Sequence, residues 1–109
     1  MITLVQQKKA ELAALCRMYG VARLDLFGSA ATGAFLPASS DLDFVVTFEN
    51  SAEPGLLDRY LDLADALESL FHRHVDLITP RSIRNPYFRE TVEATRQPLY
   101  EHRTEETPA

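Results

Sequence analysis

Leu26-Phe27-Gly28-Ser29, followed after eleven residues by Asp41-Leu42-Asp43-Phe44-Val45-Val46-Thr47-Phe48, is the stretch whose reading decides the fold. In the second segment Leu42, Phe44, Val46 and Phe48 alternate with polar and small positions, the period of a strand with one buried face. Asp41 and Asp43 then project together from the opposite face, where both acids can grip one hard cation. The first segment is the end of another apolar strand. A Gly-Ser turn there offers backbone N–H groups and a hydroxyl, donors that suit an anion, above all where a helix begins. A phosphate-sized turn beside paired carboxylates points to a metal-bound nucleotide.

Working outward, residues 4–19 carry Val5, Leu12, Leu15, Cys16 and Tyr19 in helical register, and Gly20 is a natural stop. Val21 to Phe27 reads as a strand with Ala22, Leu24 and Leu26 on one side and Val21, Arg23, Asp25 and Phe27 on the other. Ser29 to Gly33 is expected to open a short helix, and Pro37-Ala38-Ser39-Ser40 a turn into the second strand. Residues 56–71 repeat apolar positions at helical spacing, with Asp58, Asp62, Asp65 and Glu68 lining what is most simply a solvated face. A third strand is expected over His74 to Ile78. A helix from Tyr87 to Thr95 follows Asn85-Pro86, and Gln97 to Tyr100 forms a short extended end. The order describes an α/β (α+β) domain: a small sheet with helices mainly on one face, its strands parallel or mixed.

Length and composition bound the rest. The 109 residues suffice for one domain, 1–109, with 101–109 read as a frayed polar tail, so further specificity must come from a partner. A formal charge of −5 excludes a broad electrostatic grip on nucleic acid, and no direct DNA binding is expected. No apolar run suits a membrane span and the N-terminus lacks the order of a secretory signal, so a cytoplasmic location is the expectation. The lone Cys16 reads as a packing residue. His72 and His74 have no cysteine or third histidine at zinc-like spacing, so a structural or solvent-facing role is expected. Arg81, Arg84, Arg89 and Arg96 give the C-terminal part a local positive bias, and Tyr87 and Phe88 read as core-edge residues.

Asp76 stands in the third strand as Asp41 and Asp43 stand in the second. If those strands are neighbours, three carboxylates converge, and bare acids so close repel one another unless a cation neutralises them. Magnesium supplies that neutralisation in phosphoryl transfer. Asp41 and Asp43 would bind metal, and Asp76 would complete the site and accept a nucleophile's proton.

Leu26-Phe27-Gly28-Ser29, Gly33, Ser40-Asp41-Leu42-Asp43-Phe44 and Val75-Asp76-Leu77 together resemble the nucleotidyltransferase superfamily related to DNA polymerase β, most closely its minimal, MNT-type members. With Thr79 to Tyr87 included, the chain resembles the antitoxin half of HEPN/MNT toxin–antitoxin pairs. The resemblance implies a palm-like mixed α/β fold, Mg²⁺-dependent use of ATP, and transfer of AMP to a tyrosine hydroxyl of a HEPN toxin with release of pyrophosphate. It assigns Gly28, Ser29, Gly33 and Ser40 to the nucleotide, and Asp41, Asp43 and Asp76 to metal and catalysis. Thr32 stands where many relatives place an arginine before the glycine. The alternatives are an antitoxin that masks its toxin by binding alone, and transfer to a small molecule. A homo-oligomer and a hetero-oligomer with the toxin are both compatible with the sequence.

Overall fold

The computed structural model describes residues 3–32 and 41–102. Its elements run α1 (Thr3–Gln6), α2 (Lys9–Met18), β1 (Val21–Phe27), α3 (Ser29–Thr32), β2 (Leu42–Phe48), α4 (Leu56–Phe71), β3 (Val75–Ile78), a 3₁₀ turn (Pro80–Ser82), α5 (Pro86–Thr95) and β4 (Gln97–Glu101). The four strands form one mixed sheet in the order β3-β2-β1-β4. β1 runs antiparallel to both β2 and β4, and β2 runs parallel to β3. The parallel pair needs a crossover, which α4 provides.

The expected apolar face of β2 is buried as its alternation requires: Leu42, Phe44, Val46 and Phe48 all join the main core with Leu24 and Leu26 of β1. Leu12 and Cys16 of α2 and Leu63, Leu67 and Phe71 of α4 close over them. Each such Leu, Val or Phe side chain contributes about 1.5–3 kcal/mol when removed from water. Phe44 stacks on Phe71 with ring centroids 6.1 Å apart. Burial pushes the Cys16 thiol up to about 12, so it packs as an inert apolar group.

The opposite face is covered by α5. Phe27, Val45, Ile83 and Val92 make a second, smaller core there. Asn85 caps α5, its Oδ1 accepting from the N–H groups of Tyr87 at 2.8 Å and Phe88 at 3.4 Å, and Pro86 fits the first turn. β4 is an edge strand, where Pro98 needs no ladder partner for a missing N–H.

Several expectations require correction. The first helix is broken at Gln7 and Lys8 into α1 and α2. Val21 belongs to the main core rather than to the Arg23 face, because the β1–β2 register shifts between Val21 and Arg23 and reverses the alternation. Tyr87 is 80% exposed, so it does not pack at a core edge, while Phe88 meets Phe27 edge-on with centroids 5.9 Å apart. Glu101 closes β4, and the N–H of His102 donates to the Ala22 carbonyl at 2.8 Å, so the expected tail begins in ordered structure. Residues 103–109 lie outside the described residues. Among the described residues no helix is long and apolar enough to cross a membrane.

Candidate active site

Neighbouring parallel strands bring two of the predicted acids together. The β2–β3 register sets Asp43 opposite Asp76, and the antiparallel β1–β2 register sets Phe27, at the end of β1, opposite Asp43 on its other side. Leu42 donates its N–H to the His74 carbonyl at 3.2 Å, which pins the start of β2 to the start of β3. Asp41, one residue before β2, reaches the same corner: Asp41, His74 and Asp76 each offer one ligand atom within 4.8 Å of the others. Gly33 and Ser40, also predicted for the site, lie outside the described residues.

The electrostatics follow from this crowding. The Asp43 carboxyl is raised to about 6, first by burial, then by its hydrogen bond with Asp76 and the negative charges of Asp76 and Asp41. His74 works against that shift. Its own affinity for a proton is raised, chiefly by its hydrogen bond to Asp76. A half-buried carboxylate beside two other acids keeps an excess of negative charge even with His74 near, and the carboxylate oxygens suit a divalent cation such as Mg²⁺.

Gly28 follows Phe27 directly and adopts φ +75°, a left-handed conformation that glycine accepts freely. A Cβ there would lie 2.7 Å from Asp43 Oδ2. The glycine therefore lets the carboxylate lie against the turn. α3 begins at Ser29, and the N–H groups of Ala31 and Thr32 return to the Gly28 carbonyl at 3.1 and 3.2 Å. Not every turn amide faces outward as the sequence suggested. The Gly28 N–H donates to Thr95 Oγ1 at 3.1 Å, and that hydroxyl donates onward to the Thr91 carbonyl at 2.8 Å.

Two residues of this region were missed by sequence reasoning. Thr95 stands 67 positions from Gly28 and carries no local signal of its role. His74 is exposed, as a structural or solvent-facing role requires, but its partners were not foreseen: its Nε2 lies 3.1 Å from Asp76 Oδ1 and its Nδ1 lies 3.1 Å from Glu68 Oε2. Its spacing of two from Asp76, on the same strand face, was the available signal. His72, by contrast, ends α4 in a left-handed conformation. His102 pairs with Glu49 at 2.6 Å.

The C-terminal arginines divide. Arg96 is spent on Asp25 and Glu93, and Arg89 donates to the Ile83 carbonyl, while Arg81 and Arg84 are exposed. A cavity of about 290 Å³ between Val46–Phe48, Leu56 and Thr79–Arg81 opens at the far end of β2 and contains none of the predicted acids.

Comparison with known proteins agrees with this geometry. The model of the nucleotidyltransferase domain family matches residues 10–99. Two proteins of Methanocaldococcus jannaschii, both provisionally named protein adenylyltransferase, are 40% and 35% identical over 75 residues. The aligned region covers 69% of this chain and 73% and 72% of theirs. A solved minimal nucleotidyltransferase superposes with a TM-score of 0.71 at 31% identity, covering 89% of this chain and 96% of that one. A toxin–antitoxin structure with AMP-PNP has a TM-score of 0.64 at 22% identity, covering 90% of this chain and 77% of its own. The complex of a tri-AMPylated Shewanella oneidensis HEPN toxin with its MNT antitoxin gives 0.61 at 20%, covering 93% and 76%. The last two likenesses are likenesses of fold. Ninety residues of family match, relatives at this identity and a mixed sheet that sets Asp43 against Asp76 lead to one assignment: the chain belongs to the nucleotidyltransferase domain family and is a nucleotidyltransferase of the minimal kind.

Proposed function

We propose that this chain is an antitoxin that transfers AMP from ATP, with Mg²⁺, to a tyrosine hydroxyl of a cognate HEPN ribonuclease and so neutralises it. The observation that carries the reading is the pairing of Asp43 with Asp76 beside the Gly28-Ser29 turn. The names of the archaeal relatives support protein adenylylation, and the fold shared with MNT antitoxins supports the partner.

In this reading Asp41, Asp43 and Asp76 hold the divalent cation. Bound there, it neutralises the acids and draws charge from the phosphate oxygens. Ser29 and the amides at the start of α3 hold the triphosphate, and the family resemblance assigns Gly33 and Ser40 to the nucleotide as well. The tyrosine oxygen attacks the α-phosphorus, a new O–P bond forms and the bond to the β-phosphate bridging oxygen breaks. Pyrophosphate departs, and the phenolic proton passes to Asp76, whose carboxylate is exposed at the mouth of the site.

Incubating the protein with labelled ATP, Mg²⁺ and the HEPN partner tests this. Label on the partner's tyrosine, absent with the Asp41→Asn, Asp43→Asn double variant, is the expected result. A partner neutralised by that variant with no added mass would instead establish masking by binding.

A further inference from the structure

We infer that His74 is a metal ligand, so that the cation site is a mixed nitrogen–oxygen site that favours a first-row transition cation over Mg²⁺. The inference rests on the proposed placement of a cation among Asp41, Asp43 and Asp76 and adds to it a ligand of a different chemical kind.

Three observations carry it. The first is spacing. His74 Nε2 and Asp76 Oδ1 are 3.1 Å apart, the separation of two adjacent ligands on one octahedral ion with bonds of about 2.1 Å. Asp41 contributes a further ligand atom within 4.8 Å of both, close enough for side-chain rotation to bring it in.

The second is orientation of the ring. His74 Nδ1 faces Glu68 Oε2 at 3.1 Å, and that oxygen is itself fixed by the N–H of Val75 at 3.0 Å. A carboxylate that accepts the Nδ1 proton holds imidazole in the tautomer whose Nε2 lone pair is free for a metal. That nitrogen faces the acids, where it hydrogen-bonds Asp76 Oδ1 through a proton that a bound cation would displace.

The third is the origin of the parts. Glu68 comes from the end of α4, His74 from the residue before β3, Asp76 from β3, and Asp41 from the residue before β2. The four meet because β2 and β3 are parallel neighbours, with the Leu42 N–H hydrogen-bonded to the His74 carbonyl. Imidazole nitrogen raises affinity for transition ions far more than for Mg²⁺, which is held best by oxygen alone.

Electron spin-echo modulation of Mn²⁺ bound to the tag-free, full-length protein reads the ligand directly. The wild type is expected to show coupling to an imidazole nitrogen, and His74→Ala to lose it. Titration should show Mn²⁺ affinity falling by about tenfold or more in His74→Ala, with Mg²⁺ affinity little changed. Because the His74 side chain is 59% exposed, the variant should fold, which its melting curve checks. Bound Mn²⁺ without nitrogen coupling, or coupling that survives in His74→Ala, would overturn the inference. Either result leaves the transferase reading standing, since that reading falls only if the Asp41→Asn, Asp43→Asn variant labels the partner as well as wild type. Failure of the wild type to bind Mn²⁺ would overturn both the His74 ligand and the cation site on which it rests.

Discussion

Gly28 and Asp43 occupy one space: a Cβ on Gly28 would lie 2.7 Å from Asp43 Oδ2, in a backbone held at φ +75°. Gly28→Ala therefore meets two obstacles. The left-handed conformation costs about 1–2 kcal/mol for an L-residue, and the Asp43 carboxylate must move. A displacement of about 1 Å at a phosphoryl-transfer site lowers turnover by about 100-fold. Gly28→Ala is expected to stay folded, to bind its partner, and to label it about 100 times more slowly. Labelling within a few-fold of wild type would show that Asp43 does not need its contact with the turn.

Thr95 sets the other side of the same turn. Its hydroxyl accepts from the Gly28 N–H at 3.1 Å and donates to the Thr91 carbonyl at 2.8 Å, so it couples α5 to the end of β1. Thr95→Val keeps the shape and removes both bonds, leaving the Gly28 donor without its acceptor at a cost of about 1 kcal/mol. The expected signature is a raised KM for ATP with unchanged affinity for the protein partner, restored by Thr95→Ser. Loss of stability without a change in KM would confine Thr95 to a structural role.

Much of the fold was legible because its signals were local. The alternation from Leu42 to Phe48 required no partner to be read, and the helical repeat of residues 56–71 predicted α4 as observed. The meeting of Asp43 with Asp76 was legible only conditionally, since strand order is a property of the whole sheet. What was lost depended on tertiary geometry. The irregular register near Ala22 sends Val21 to the main core, and nothing in the strand's alternation announces such a shift. The Gly28–Thr95 bond joins residues 67 positions apart. His74 was measured against zinc-like spacing of histidines and cysteines, whereas its neighbours are acids supplied by β2, β3 and α4.

The raised Asp43 carboxyl predicts how metal-free stability varies with pH. In the folded chain it titrates at about 6, above its ordinary value of 3.8. Below about pH 4 both folded and unfolded chains carry the proton, and the site imposes no charge penalty. Between about pH 4 and pH 6 the folded protein keeps a proton that the unfolded chain has lost, so stability falls across that window and levels off above it. The loss is about 1 kcal/mol, because Asp43 is only half-buried and water screens much of the repulsion. Metal-free melting temperature should therefore fall from pH 4 to pH 7 more steeply in wild type than in Asp43→Asn. Added divalent cation should restore the wild type near neutrality. Parallel pH profiles for the two proteins would show that burial and the neighbouring acids do not set the Asp43 equilibrium.

Asp25 supplies the last test, because it is a fully buried charge and sits at the root of the same assembly. Arg23 Nε approaches its oxygens at 3.0 and 3.1 Å, and Arg96 Nε approaches at 2.5 Å while Arg96 Nη1 also holds Glu93 at 2.6 Å. The two arginines are unequal. Arg23 is 43% exposed and screened by water, whereas Arg96 is 20% exposed and continues directly from Thr95, so its grip on β1 also seats the Gly28 acceptor. Asp25→Ala leaves Arg96 facing an apolar strand and is expected to cost about 3 kcal/mol in urea unfolding. Arg96→Ala should cost about 2–3 kcal/mol, and it should also raise the KM for ATP by loosening Thr95. Arg23→Ala should cost under about 1 kcal/mol and leave that KM unchanged. Equal effects of the two arginine substitutions on stability and on KM would refute the link from Asp25 through Arg96 and Thr95 to the Gly28 turn.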